Sequence, residues 1–190
     1  MANPIFANLP MTVFEEMSGL ARDLGAINLG QGFPDDPGPL AIRQKAADAV
    51  LNGYNQYPPM AGLPELRQAV AAHYGRHQGL DLDWSREVTI TSGATEALAA
   101  AFLGLIEPGD EVICFQPLYD SYLPVIRQAG GVPKLIRLSP PDWRFTEAML
   151  EAAVTPRTRF LVLNNPVNPT GVVVSEADLA LLAAFCVRHD

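Results

Sequence analysis

An α/β fold, built on a mostly parallel sheet covered by helices, is the class this sequence predicts, and three observations predict it. Short β-branched or apolar runs, "EVTITS" (Glu87 to Ser92), "EVICF" (Glu111 to Phe115), "VPKLIRL" (Val132 to Leu138) and "RFLVL" (Arg159 to Leu163), alternate with longer Ala- and Leu-rich stretches of helical character. Gly and Pro punctuate the passages between them. The chain has 190 residues and 48% hydrophobic content, enough to bury a core and within the usual size of one domain. Alternation this regular fits neither a sandwich nor a bundle.

The elements follow in order. The first segment carries no strong pattern, and "INLGQGFPDDPGP" (Ile27 to Pro39) is a short apolar start running into an irregular Gly/Pro/Asp loop. Leu40 to Asn52 reads as an Ala-rich helix closed by Gly53. Pro64 sits where a first helical turn tolerates it, ahead of a helix that ends at Gly79, so two helices flank "YNQYPPMAG". After "EVTITS" comes a helix of small and apolar residues, Gly93 to Leu105, and then the turn "EPGD". "EVICF" is a strand, Ser121 to Ala129 a helix interrupted by Pro124, and "VPKLIRL" a strand after Gly130 and Gly131. "TEAMLEAAV" is helical, "RFLVL" a strand, and the last helix opens on a capping-box-like Ser175-x-x-Asp178. That helix runs to Asp190 with no stop signal and no strand behind it, so the sequence is expected to be a fragment of a larger sheet.

Charge and composition remove several function classes. A formal charge of −8 without a basic stripe argues against nucleic acid or an anionic membrane as partner, since either needs cations to displace counterions. The apolar runs are broken too soon to span a bilayer, and the N-terminus has no basic-then-apolar leader. Cys114 and Cys186 lack metal-ligand spacing and read as reduced core thiols, which makes the expected location cytoplasmic. His73 and His77 stand i,i+4 on a helix, a spacing zinc uses, but no third ligand lies near them in sequence, so no metal is expected.

In a doubly wound sheet, ligands bind beyond the carboxyl ends of the strands. Three exits are candidates. "TITSGATEALAAA" joins strand to helix through small residues, so that backbone N–H groups can approach an anion at the positive end of a helix dipole; tight packing with Ser92 or Thr95 as cap is the alternative. "CFQPLYDSY" presents Tyr119 just past a strand, either as a stacking face for a flat ligand or as a satellite core aromatic. "FLVLNNPVNPTG" leaves its strand into three asparagines and two prolines. It is either a plain turn or a stiffened loop presenting the Asn168 carboxamide with little left to order on binding.

"NNPVNPTG", "TSGATEAL", "NLGQGFPD" and "NQYPPMAGLPELRQAV", in this order, resemble the class I/II aminotransferases of fold type I, which depend on pyridoxal 5′-phosphate (PLP). "LGQGFPD" and "FQPLYDSY" are most similar to the branch of kynurenine, glutamine and methionine aminotransferases and cysteine-conjugate β-lyases. The resemblance implies a PLP-dependent transferase-like large domain, truncated, with residues 1–27 as an N-terminal segment (part of a small domain or arm) and 28–190 as the N-terminal portion of the large PLP-binding domain. It implies that Gly93, Ala94 and Thr95 cradle the cofactor phosphate, that Tyr119 stacks on the pyridine ring, and that Asn168 donates to the phenolic oxygen. It also implies that Gly32 lies by the substrate carboxylate. Tyr57 would reach across a homodimer interface to the partner's phosphate.

PLP enzymes hold the cofactor through a lysine, as a Schiff base, beside an acidic partner for the ring nitrogen. This sequence has two lysines, Lys45 and Lys134, and neither follows the small, hydroxyl-rich stretch that precedes the family's lysine. Both read as surface charges, and Asp190 is not the ring-nitrogen partner. No catalytic residue is therefore assigned in this chain, which resembles the N-terminal half of an enzyme and is expected to be inactive alone. The implied reaction moves an amino group from an amino acid to a 2-oxo acid. Cysteine-conjugate β-elimination shares the same motifs, and a non-catalytic α/β relic or dimerising module is the reading from another class.

Overall fold

The computed structural model describes residues 3–7, 9–32 and 36–189; Phe33, Pro34 and Asp35 of the "LGQGFPD" motif, and Asp190, lie outside them. In chain order the elements are α1 (Pro4–Ala7), α2 (Val13–Leu24), α3 (Leu40–Asn52), α4 (Pro64–Gln78), α5 (Trp84–Glu87), α6 (Gly93–Leu105), β1 (Glu111–Gln116), α7 (Tyr122–Gln128), β2 (Val132–Arg137), α8 (Glu147–Ala153), β3 (Thr158–Val162) and α9 (Glu176–Arg188). They gather into two units, one formed by Met1–Leu9 with Gly93–Asp190 and the other by Pro10–Ser92.

The first unit is the predicted parallel sheet. Its strands lie in the order β2-β1-β3, with Glu111 opposite Val132 and Gln116 opposite Arg137 on one side, and Val112 opposite Phe160 and Cys114 opposite Val162 on the other. Central β1 is buried along its whole apolar run, as a strand covered on both faces must be. Successive side chains point to opposite faces, so the strand feeds two cores. Ile113 and Phe115 meet Leu150 of α8 and Leu182 and Phe185 of α9. Val112 and Cys114 meet Phe102 and Ile106 near the end of α6, with Tyr122 and Ile126 of α7. Burying each large side chain contributes about 1.5–3 kcal/mol, so these two layers carry the unit's stability.

Local signals fix the helices of this unit. Ser175 caps α9: its Oγ accepts the Asp178 N–H at 3.1 Å and donates to the Asp178 carboxylate at 2.7 Å. Thr146 Oγ1 accepts from the Met149 N–H at the start of α8. Pro124 does not interrupt α7. It falls in the first turn, where its missing N–H would have had no helical partner in any case.

The second unit holds α2 to α5. Thr12 caps α2, and Gly25 closes it at φ +60°. Segment 26–31 returns along that helix, with the Asn28 Nδ2 donating to Ser18 Oγ at 3.0 Å and the Ser18 hydroxyl donating to Gln31 at 2.9 Å. The strand expected at Glu87 to Ser92 does not form. Trp84–Glu87 is instead a helical turn capped by Asp83, and no described strand pairs with residues 88–91. Arg67 holds this stretch, donating to the Val88 carbonyl at 2.7 Å and the Ser85 carbonyl at 2.9 Å, with its guanidinium 5.5 Å from the Trp84 ring. The Ile90 N–H donates to the Ala61 carbonyl at 3.0 Å. β-branched residues supply propensity, but a strand also needs a ladder partner.

Candidate active site

The short connection from Ile106 to Asp110 joins the end of α6 to the start of β1, and the Gly109 N–H closes that turn on the Gly130 carbonyl at 2.9 Å. Helix and strand are each about 20 Å long, so the start of α6 lies toward the carboxyl end of β1. Leu98, in the second turn of α6, and Tyr119, just past β1, both pack on the core cluster of Cys114 and Tyr122. β3 runs parallel beside β1, and its exit leads into the asparagine loop. The first turn of α6, Tyr119 and the asparagine loop thus belong to one unit and lie toward the carboxyl end of its sheet, although the first of the three follows no strand, since Glu87 to Ser92 forms none.

Gly93, Ala94 and Thr95 form the exposed first turn of α6. Gly93 takes φ +81°, a conformation that L side chains rarely adopt, and a Cβ there would meet nothing within 4 Å. A helix start has the positive end of the helix dipole, which favours an anion. Tyr119 is half-buried, its ring 5.8 Å from that of Tyr122 in an edge-to-face pair at 70°.

The asparagine loop is closed on itself. Asn164 Oδ1 accepts the Asn168 backbone N–H at 2.7 Å, Asn165 Oδ1 accepts the Val174 N–H at 2.9 Å, and backbone bonds join Val167 to Gly171 and Val172. Asn168 itself is exposed, and its carboxamide makes no hydrogen bond to a described residue. Sequence reasoning singled out Asn168 and missed the other two, although side chains of Asn commonly cap backbone donors a few residues on.

Beneath the loop lies a cavity of about 30 Å³, lined by Cys114, Phe115, Pro117, Trp143, Asn164 and Asn168 among others. That volume suits a water or two, not a ring, so a ligand would lie over the exits and not inside the cavity. Burial pushes the Cys114 thiol up to about 12, and burial, with Tyr119 and Cys114 nearby, raises the Tyr122 phenol. Both stay neutral at ordinary pH, and Cys114 is unreactive.

Gly32 and Tyr57 belong to the second unit. Gly32 is exposed, with open space where a Cβ would stand, and Tyr57 is 95% exposed. Lys134 sits at the amino edge of the sheet, its Nζ 3.8 Å from Glu111. Glu111 is 1% exposed, and it accepts from the Thr155 hydroxyl at 2.6 Å and from Arg157 at 2.8 Å. The Thr155 hydrogen bond, then Arg157 and Lys134, hold its carboxyl below the usual range. Lys45 is exposed on α3. The rings of His73 and His77 lie 4.4 Å apart, and among the described residues no three His, Cys, Asp or Glu could hold a metal ion. No helix among them is long and apolar enough to cross a membrane.

The family profile "Aminotransferase class I and II" matches residues 25–190. A probable N-succinyldiaminopimelate aminotransferase of Mycobacterium tuberculosis (strain CDC 1551 / Oshkosh) is 52% identical over 93% of this chain and 45% of its own. Methionine aminotransferase of Escherichia coli (strain K12) is 44% identical over 96% of this chain and 47% of its own. A solved Escherichia coli structure described as having a methionine aminotransferase function superposes with a TM-score of 0.94 at 43% identity, covering 100% of this chain and 50% of that one. The chain therefore spans about half the length of the curated relatives it matches. These matches agree with the motifs in sequence and with the α/β architecture: the chain belongs to the class I and II aminotransferases.

Proposed function

We propose that the protein is a PLP-dependent aminotransferase, moving an amino group from an amino acid to a 2-oxo acid, with the cofactor gripped by the start of α6 and the exits of β1 and β3. Bound PLP supplies an electron sink that stabilises the carbanion left when the amino acid loses its α-proton. The backbone N–H groups of Gly93 to Thr95 bind its phosphate at the start of α6, and Tyr119 covers one face of its ring. Asn168 donates from its carboxamide to the phenolic oxygen. The observation that carries this reading is that carboxamide: exposed on a closed loop, at the same sheet edge as the α6 turn, with no described partner of its own.

The active form is a homodimer in which Tyr57 serves the partner's phosphate, a role that its 95% exposure permits, and Gly32 lies by the substrate carboxylate. Neither lysine anchors the cofactor. Lys134 is engaged with Glu111 at the opposite edge of the sheet, and Lys45 lies in the other unit, so the 190 residues alone are inactive. The test is to add PLP and an amino donor to the 190-residue chain, and to the protein expressed from its complete reading frame. Turnover and a cofactor absorbance band in the second sample alone are expected. A borohydride-reducible link from PLP to Lys45 or Lys134, accompanied by turnover, would overturn the assignment.

A further inference from the structure

The loop after β3 contains three asparagines, and the structure uses them in two different ways. Asn164 and Asn165 turn their side-chain oxygens onto backbone N–H groups of the loop, at 2.7 Å to Asn168 and 2.9 Å to Val174. The Asn168 carboxamide makes no hydrogen bond to a described residue. The backbone bond from the Gly171 N–H to the Val167 carbonyl, at 2.7 Å, tightens the far side of the same loop.

The bond from Asn164 is the one that bears on Asn168 directly. Proline at 169 fixes its own φ and restricts the residue before it, so the chain on the carboxyl side of Asn168 has little freedom. On the amino side its N–H is held by Asn164. Proline at 166 removes a donor and some backbone freedom between the two. With both sides constrained, the Asn168 carboxamide keeps only its side-chain torsions to order when it meets a ligand. Take away the Asn164 oxygen and an exposed N–H passes to water, leaving the amino side of the loop free to move.

We propose that Asn164 is a positioning residue: its side-chain carbonyl holds the Asn168 backbone and so sets where the Asn168 carboxamide stands for the cofactor's phenolic oxygen. This rests on the cofactor reading above and deepens it, since it makes Asn164 act wholly through Asn168.

The probe is pyridoxamine 5′-phosphate, which has the ring, phenolic oxygen and phosphate but no aldehyde to react with Lys45 or Lys134. It is titrated into the protein expressed from its complete reading frame, as parent, Asn164→Ala, Asn168→Ala and the double variant. Asn164→Ala is expected to weaken binding roughly 3- to 10-fold, the worth of one ordinary hydrogen bond. On the Asn168→Ala background the same change should have almost no effect, because the group it positions is gone. In parallel, hydrogen exchange at the Asn168 amide should quicken in Asn164→Ala and in Asn164→Ser, and stay slow in Asn164→Asp, which keeps an acceptor oxygen in place.

Unchanged exchange in Asn164→Ala overturns the proposal. So does a loss of binding that is just as large without Asn168, which would make Asn164 a ligand contact in its own right. A parent protein that does not bind the probe at all overturns the cofactor reading itself, and that result is separate from binding with additive losses, which sinks only the positioning role.

Discussion

The Arg144 guanidinium donates twice to the Asp178 carboxylate, from Nε at 3.0 Å and from Nη2 at 2.7 Å, linking the segment before α8 to the first turn of α9. Asp178 also receives the Ser175 hydroxyl at 2.7 Å, so one largely buried carboxylate joins a helix cap to a second chain segment. The start of α9 is thereby fixed from two directions, and that helix supplies Leu182 and Phe185 to the core under β1.

Removing the cap should be measurable. Ser175→Ala withdraws the acceptor of the Asp178 N–H and is expected to cost about 1 kcal/mol, the usual value for a lost N-cap. Urea denaturation followed by circular dichroism checks it. An unchanged midpoint would mean that Arg144 holds the helix start without help from the cap.

Two carboxylates predict an acid-sensitive fold. Asp178 is held below its ordinary value of 3.8 by its hydrogen bond from Arg144 and then by Ser175; Glu111 is held below 4.5 by Thr155 and then by Arg157. A depressed folded-state value means the contribution is fully present above the unfolded value. It is lost as the pH falls through the folded one, so the loss starts below about pH 4.5 and continues into stronger acid. Thermal melts between pH 7 and pH 2.5 should show a falling midpoint, with a flatter slope in Glu111→Gln and in Asp178→Asn. Parallel slopes in parent and variants would refute this origin.

Leu150 is fully buried between α8 and the sheet. Leu150→Ala is expected to destabilise by about 2–5 kcal/mol through lost burial and the cavity left behind. Leu150→Met should cost under about 1.5 kcal/mol because it keeps the volume. Chemical denaturation of the two variants side by side separates packing from mere apolarity.

Gly62 is buried at φ +100°, and a Cβ there would come within 2.5 Å of Ile90 Cγ1 and 2.6 Å of its Cβ. Gly62→Ala is expected to destabilise by roughly 1–3 kcal/mol through strain and crowding. Since the Ile90 N–H bonds to Ala61, its amide exchange should quicken first. Exchange that stays slow at Ile90 while the protein loses stability would place the damage elsewhere.

For the cofactor reading, Tyr119→Phe should leave pyridoxamine 5′-phosphate affinity within about twofold, because the ring face is retained. Tyr119→Ala should weaken it by roughly 2- to 12-fold, the range of about 0.5–1.5 kcal/mol for an aromatic pair. Fluorescence titration decides it. Equal affinity in all three would leave Tyr119 as a core aromatic, the plainer of the two readings.

The sheet was legible because its signals are local. Val112 to Phe115 form an unbroken apolar run, Gly109 and Gly130 turn at positive φ, and Ser175 with Asp178 is a cap that four residues suffice to write. The stretch Val88 to Thr91 was misread for the opposite reason: its β-branched residues report propensity, while strand formation depends on a neighbour that sequence periodicity does not reveal. Helix α2 went unread although Thr12, Glu15 and Gly25 marked its two ends; its apolar residues remain substantially exposed, so no buried stripe drew attention to it. The asparagine loop was legible as a turn, and Asn168 stands exposed on it. The partners of Asn164 and Asn165 were not, because an Asn oxygen can reach several backbone donors and only the folded loop selects one.

Lys134 and the asparagine loop stand at opposite rims of the same small sheet, and this separates two kinds of chemical damage. An acylating reagent that reaches Lys134 would neutralise a cation beside Glu111 and leave the opposite rim as it was. Its signature would be a protein that melts sooner near neutral pH, with a flatter fall into acid, yet that keeps whatever binding the opposite rim provides.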